Sequence, residues 1–303
     1  MRSYVSVEEK LPVVVGVDDV PDGLQVVDVA AVEAAHRGVP LQIVHAWPGR
    51  HAGLPRHRAL RPDPADGRHL LDLAARRARH ALPGLRVWTE LVDDSAAEAL
   101  IERSERADLL VLGHRDEAGP GNGWGSTAAY VAHHSRCPLL VSRGPNALRG
   151  PVVVATSGRP TATVNMAHQV ASRADCPLVA VHVWAPRGPG ADCDDGRREA
   201  EERLAETLTA ASVTAPEVVT SRLLISEADV AYTLDRASRR GRLLVAGRGR
   251  KSWFVEMLYS IGGMSPGTRR LCPVLLVPPG WPAPGTVRSG VGQQASDQGD
   301  RRG

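Results

Sequence analysis

The sequence predicts an α/β protein made of two tandem doubly wound domains, each built around a five-stranded parallel sheet. The first observation behind this is an internal repeat. Val13-Val14-Val15 returns as Val152-Val153-Val154, Val44-His45-Ala46-Trp47 as Val181-His182-Val183-Trp184, and Cys137-Pro138-Leu139-Leu140-Val141 as Cys272-Pro273-Val274-Leu275-Leu276-Val277. The order is the same in both copies, and the offset shrinks gradually, as a few small loop deletions would make it. The second is that short Val/Leu-rich runs alternate with segments of helical spacing, the signature of βαβ units. The third is composition: 43% of the 303 residues are hydrophobic but only 4% are aromatic, so the cores must be assembled from Val, Leu, Ala and Ile. Parallel sheets covered on both faces accept such residues.

In the first copy, strands are expected near 12–17, 41–46, 86–92, 108–112 and 138–142. Between the first two, Leu24, Val27, Ala31 and Ala34 fall at helical spacing and Gly38 supplies a stop. Leu70, Leu71, Ala74 and Ala78 mark the inner face of a second helix. A third begins at Ser95, with Glu98 completing a Ser-x-x-Glu capping box; Ser226 and Asp229 occupy similar positions in the second copy. The stretches 48–68, rich in Pro, Gly, Arg and His, and 185–198, with Asp192, Asp194 and Asp195, read as long solvated loops. Gly144 to Gly150 reads as the linker between domains at 11–143 and 151–279. After Pro279 the chain turns to Gly, Ser, Gln and Pro, too poor in apolar residues to pack, and 285–303 is expected to be a disordered tail.

Charge and cysteine usage narrow the function classes. The 37 basic and 34 acidic residues are interspersed and leave a formal charge of +3, so there is no basic face for nucleic acid. Cys137, Cys176, Cys193 and Cys272 form no CxxC pair, which points to reduced thiols in a cytoplasmic protein. Arg2, Glu8, Glu9 and Lys10 interrupt the opening segment, and no apolar stretch reaches membrane-spanning length. His133-His134 are adjacent and so face different directions on a helix, which does not suit a metal pair. His45 and His182 lie inside repeated strands and read as structural. Cys137, Cys176 and Cys272 each precede Pro at a strand start, where packing explains them.

In open parallel sheets ligands sit outside the carboxyl ends of the strands, where strand order reverses. The first strand ends Val15-Gly16-Val17-Asp18-Asp19. The fourth ends Leu110-Val111-Leu112-Gly113-His114-Arg115-Asp116, and the Gly-rich run Gly119-Pro120-Gly121-Asn122-Gly123-Trp124 leads into Gly125-Ser126-Thr127 at the start of a helix. Glycines let the backbone approach an anion, and helix-start amides with the Ser126 and Thr127 hydroxyls donate to it, so the pattern suits a phosphate. A flexible loop followed by a capped helix would look the same.

Gly16-Val17-Asp18, Val44-His45-Ala46-Trp47, Ala107-Asp108-Leu109-Leu110-Val111-Leu112-Gly113 and Cys137-Pro138-Leu139-Leu140-Val141 together resemble the universal stress protein family, and the resemblance runs over about residues 11–279 as two copies. It implies the adenine nucleotide alpha hydrolase-like fold, with strand order 3-2-1-4-5 in each copy. ATP-binding members carry Gly, two residues, Gly, nine residues, Gly, then Ser or Thr after the fourth strand, and an Asp ending the first. On that pattern Asp18 matches the acidic position near ribose and adenine, and Ala46 the second-strand contact with the base. Gly113 matches the first glycine, and Gly125 with Ser126 the final phosphate-binding pair. Asp116 stands where the second glycine is expected, and a carboxylate there repels a triphosphate unless a metal such as Mg²⁺ bridges them. The second copy departs further: Ser157 replaces the Asp, Arg250 the second glycine, and Ser260-Ile261 the final pair, while Gly247 keeps the first. Arg248, Arg250 and Lys251 read as a solvated basic loop.

The resemblance therefore implies a non-enzymatic regulator of the stress response. It would bind ATP, with Mg²⁺, in the first domain only, the second being degenerate and structural. The two halves would pack as an intramolecular pseudo-dimer through the closing strands 138–142 and 273–277; the protein partner is unidentified, and a homodimer of the whole chain is a further option. Two alternatives stay open. One is an interaction scaffold with neither pocket occupied. The other is a nucleotide-using enzyme, suggested by Thr156-Ser157-Gly158 but without the Gly-Gly-x-Asp-Ser continuation of pyrophosphatase-type loops or any His-x-Gly-His signature.

Overall fold

Val13, Val14 and Val15 are all fully buried, so the strand they form, β1 (Val13–Gly16), must be covered on both faces. The computed structural model describes residues 10–19, 23–47, 63–113, 126–143, 149–159, 161–184, 193–213, 215–226, 230–248 and 272–282. After β1 come α1 (Gln25–Arg37), β2 (Leu41–Ala46), α2 (Pro64–Ala81), β3 (Val87–Val92), α3 (Ala96–Ser104), β4 (Leu109–Gly113), α4 (Ser126–His134) and β5 (Leu139–Ser142). The same alternation continues through β6 (Val152–Ala155), α5 (Ala162–Arg173), β7 (Leu178–Trp184), α6 (Cys193–Ser212), β8 (Thr220–Ser226), α7 (Val230–Ser238), β9 (Leu243–Gly247) and β10 (Val274–Val277).

All the strands belong to one ten-stranded sheet of order β3-β2-β1-β4-β5-β10-β9-β6-β7-β8. Each half thus has the order 3-2-1-4-5, and the halves join where β5 and β10 pair antiparallel, Val141 opposite Val274 and Leu140 opposite Leu275. The other pairings are parallel. Because side chains alternate along a strand, each strand feeds two cores. Val13, Val15, Ile43, Leu140, Val152, Val245 and Leu275 pack under α1, α2, α5 and α6; Val14, Leu110, Leu139, Val153, Leu244 and Leu276 pack under α3, α4 and α7. Both cores run across the junction of the halves. Side chains also cross it: the Arg248 guanidinium donates to the Ser135 carbonyl (2.7 Å) at the end of α4, and Arg143 donates to the Cys272 carbonyl (3.4 Å).

The helix ends show why these segments fold locally. Gly38 takes a left-handed φ of +62° and its N–H reaches the Ala34 and Ala35 carbonyls, ending α1. The Ser95 hydroxyl accepts from the Glu98 N–H at α3, and the Glu98 carboxylate reaches back to that hydroxyl rather than to the Ser95 amide, which donates to Asp94 instead.

Three expectations need correction. The stretch 48–68 is helical from Pro64, because the Asp63 carboxylate accepts from the Ala65 N–H (2.8 Å) and Pro64 supplies a preset first-turn φ. The stretch 185–198 is helical from Cys193, with Asp194 and Asp195 in the first turn, where the helix dipole favours anions. Ser226 ends β8, and residues 227–229, where the expected capping box of the second copy falls, lie outside the described residues. Packing does not stop at Pro279: Trp281 lies against both cores. Residues 144–148 of the expected linker and the expected tail, 285–303, are likewise outside the described residues.

The β3 edge of the sheet carries a charged clasp. Arg103 on α3 donates to Glu90 (Nε to Oε2, 2.9 Å), and Gln42 on β2 donates to the same carboxylate (2.7 Å). The Arg103 hydrogen bond, ahead of the opposing effect of partial burial, holds the Glu90 carboxyl below its usual value of 4.5. Its contribution to stability is therefore complete above that value and is lost as pH falls through the lowered folded-state value. Glu90→Gln should flatten the loss of melting temperature between about pH 6 and about pH 3. Parallel curves for the variant and the unsubstituted chain would show that the clasp adds nothing.

Candidate functional site

The strand order reverses between β1 and β4, since the chain leaves β1 for α1 on one face and reaches α3 and α4 on the other. The crevice outside their carboxyl ends is where a doubly wound sheet accepts a ligand. Strand pairing continues through Val17, whose N–H donates to the Val44 carbonyl (3.0 Å), so Asp18 is the first half-buried residue free of the ladder. Gly113, exposed, ends β4 on the other lip of the crevice. Ala46, half-buried, ends β2 beside β1. Among the described residues, α4 begins with Ser126 and Thr127 at the carboxyl edge of the sheet, where a helix following a parallel strand starts. Gly125 and the rest of the loop 114–125, Asp116 included, lie outside the described residues.

Next to this crevice, between the β1–α1 turn and α2, lies a cavity of about 500 Å³. Asp18, Asp19 and Asp66 give it an acidic rim, His69 a polar wall, and Leu70 and Leu73 an apolar one. Among the described residues, Asp18 is the one site residue expected from the sequence that lines it. Arg77 is also at the rim, but its guanidinium is held by Asp28 (2.6 and 2.7 Å). Such a lining favours hydroxyl and amino groups over phosphates. The sequence reading missed Asp66 and His69, whose helical i, i+3 spacing was the available signal. Among the described residues no cluster of three or more His, Cys, Asp or Glu suits a metal ion.

The histidines inside the strands hold the site rather than react in it. His45 Nδ1–H donates to the Val17 carbonyl (2.9 Å), and His182 Nδ1–H to the Thr156 carbonyl (2.8 Å), the same bond in both halves. It fixes the backbone immediately before Asp18 in one half and before Ser157 in the other. His134 sits in the last turn of α4 with Nδ1–H on the Tyr130 carbonyl (2.8 Å), a helix-end arrangement. Cys137 and Cys272 are buried and Cys176 half-buried, and none of the three is in a disulfide.

The second half has a different crevice. Ser157 is exposed in place of Asp18, and the Gly158 N–H is taken by the Thr156 hydroxyl (3.1 Å). A methyl group on Gly247 would lie 3.0 Å from Thr163 Oγ1, whereas one on Gly113 would lie 3.9 Å from Val26 Cβ. Among the described residues, Thr163 of α5 thus crowds the end of β9, while α1 stands at ordinary contact distance from the end of β4. Arg250, Ser260 and Ile261 lie outside the described residues.

Residues 11–143 match the model of the universal stress protein family. Over 274 residues the chain is 30% identical to Universal stress protein Rv2623 of Mycobacterium tuberculosis, an alignment covering 83% of this chain and 91% of that one. The chain belongs to the universal stress protein family. A universal stress protein of Mycolicibacterium smegmatis is 28% identical over 288 residues, covering 88% of this chain and 97% of its own. In three dimensions a universal stress protein from Archaeoglobus fulgidus superimposes with a TM-score of 0.62 at 17% identity, over 89% of this chain and 96% of that one, which shows a shared fold. Among the described residues of this universal stress protein no helix is long and apolar enough to cross a membrane.

Proposed function

We propose that this universal stress protein is a regulator in the stress response that binds one ATP per chain, in the first half, without turning it over, and that the second half serves as its structural partner. The observation that carries this reading is the difference between the two crevices. Among the described residues, a side chain at Gly113 would meet α1 only at ordinary contact distance, with Asp18 on the facing lip; at Gly247 it would crowd Thr163, and Ser157 carries no charge. Sugar hydroxyls and the adenine amino group suit the Asp18 carboxylate and the end of β2 at Ala46. The phosphates would then lie on the amides and hydroxyls of Ser126 and Thr127, with Gly125 allowing close approach. Mg²⁺ would arrive with the triphosphate and offset the Asp116 carboxylate; it needs no protein cage, since it keeps most of its waters.

Calorimetric titration of the full chain with ATP and Mg²⁺ should give a stoichiometry near one. Gly125→Val should weaken binding at least about tenfold, a loss of about 1.4 kcal/mol or more, because a branched side chain stands where the backbone meets phosphate. Ser126→Ala should cost less, about 0.5–1.5 kcal/mol for one hydrogen bond. A stoichiometry of two, or an affinity indifferent to Gly125→Val, would place the ligand elsewhere.

A further inference from the structure

The two outer edges of the sheet, β3 and β8, are chemically unlike. Glu90 stands opposite Val44 and Leu223 opposite Val181, and Val44 and Val181 are one position of the repeat, so Leu223 replaces Glu90 in the second half. Ala237 replaces Arg103, each preceding the serine that ends its helix. The ionic clasp of the β3 edge is therefore apolar at β8, where Leu223 is 39% exposed. The backbone differs too. On β3 the Arg79 guanidinium covers the outward carbonyl of Val87 (2.9 Å). On β8, Leu178 N–H bonds the Val219 carbonyl, which turns the N–H and C=O groups of Thr220, Arg222, Leu224 and Ser226 away from β7. Among the described residues no side chain bonds these outward groups. An edge whose outward backbone groups are uncovered and whose one charged side chain, Arg222, is unopposed by another is a template for another strand.

We propose that β8 pairs antiparallel with β8 of a second copy of this chain, about a twofold axis through Leu223. The register follows from which groups face outward. Among the described residues, the hydrogen-bonded pairs are drawn from Thr220, Arg222, Leu224 and Ser226. An axis at Arg222 sets two guanidinium groups against each other, and an axis at Leu224 leaves Thr220 unused. An axis at Leu223 pairs Thr220 with Ser226 and Arg222 with Leu224, using all four residues and opposing no like charges. Leu223 then meets Leu223 of the second copy at a non-hydrogen-bonded position, where the side chains are closest, and Ile225 lies beside Ser221. The chain already joins its own halves by an antiparallel edge pair, β5 with β10. The β3 edge is excluded by its clasp.

Sedimentation velocity of the full chain from micromolar to hundreds of micromolar concentration should show a monomer–dimer equilibrium. Leu223→Lys, which places two ammonium groups at the axis, should raise the dimer dissociation constant at least tenfold, whereas Trp88→Lys on the opposite edge should leave it unchanged. The exposure of Leu223 predicts an unaltered melting temperature for the monomeric variant. Under oxidising conditions Leu223→Cys should give at least tenfold more disulfide-linked dimer than either the unsubstituted chain or Arg222→Cys, whose cysteine faces Leu224 rather than its own copy. A chain monomeric at every concentration, a Leu223→Lys variant that dimerises as before, or equal cross-linking at positions 222 and 223 would overturn the assignment.

Discussion

Gly150→Ala is expected to destabilise the chain by about 2–6 kcal/mol, summing backbone strain and overpacking of about 1–3 kcal/mol each. Gly150 leads into β6 with φ at +118°, a conformation that residues with a side chain avoid. Its methyl group would also lie 2.3 Å from the Arg240 carbonyl oxygen, a backbone atom with no rotamer to yield. That turn is itself pinned, the Gly241 N–H on the Ser238 carbonyl (2.7 Å) and the Arg242 N–H on the Pro151 carbonyl (2.9 Å). Relief therefore requires moving either the entry to β6 or the α7–β9 turn. Gly84→Ala is the control, since a methyl group there meets nothing within 4 Å. Chemical denaturation of both variants settles the matter: a loss below about 1 kcal/mol for Gly150→Ala would mean that the linker relaxes freely.

Leu275→Ala is expected to cost about 2–5 kcal/mol and to lower a single unfolding transition. Leu275 is 2% exposed on β10, directly opposite Leu140 on β5, within a core containing residues of both halves. Removing its side chain leaves a cavity that neither half can close alone, because both strands are fixed by their own parallel neighbours. Stability lost there should be felt by the whole sheet. Scanning calorimetry distinguishes this from independent halves, for which one transition would stay at its original temperature while the other fell.

The sheet was largely legible in the sequence because its strands are short aliphatic runs bounded by Gly, Pro and Asp, a pattern that survives without knowledge of what covers them. Gly38 and Ser95 were legible for the same reason, each acting on neighbours a few residues away. The starts of α2 and α6 were not. Asp63-Pro64 and Asp194-Asp195 are strong local signals, but they sit inside segments whose average composition is that of a loop. Trp281 was hidden by the polar residues around it, although one large side chain is enough to anchor a chain end. At the site, Asp18 and Gly113 could be placed because they end strands, and strand ends in a doubly wound sheet converge.

By itself, then, the sequence determined the repeat, the element order and the residues at the carboxyl edge, all consequences of periodicity and of contacts close along the chain. Tertiary structure decided what depends on distant segments meeting. Asp66 and His69 face Asp18 only because α2 packs beside the β1–α1 turn. Among the described residues, Thr163 crowds the end of β9 where Val26 stands at ordinary contact distance from the end of β4, a difference of 0.9 Å in approach that no motif records. Arg248 and Ser135 are 113 residues apart, and β5 meets β10 across the whole second half. Such contacts form when two finished surfaces bury their apolar faces together, and the free energy that selects them belongs to the assembled sheet rather than to any segment of it.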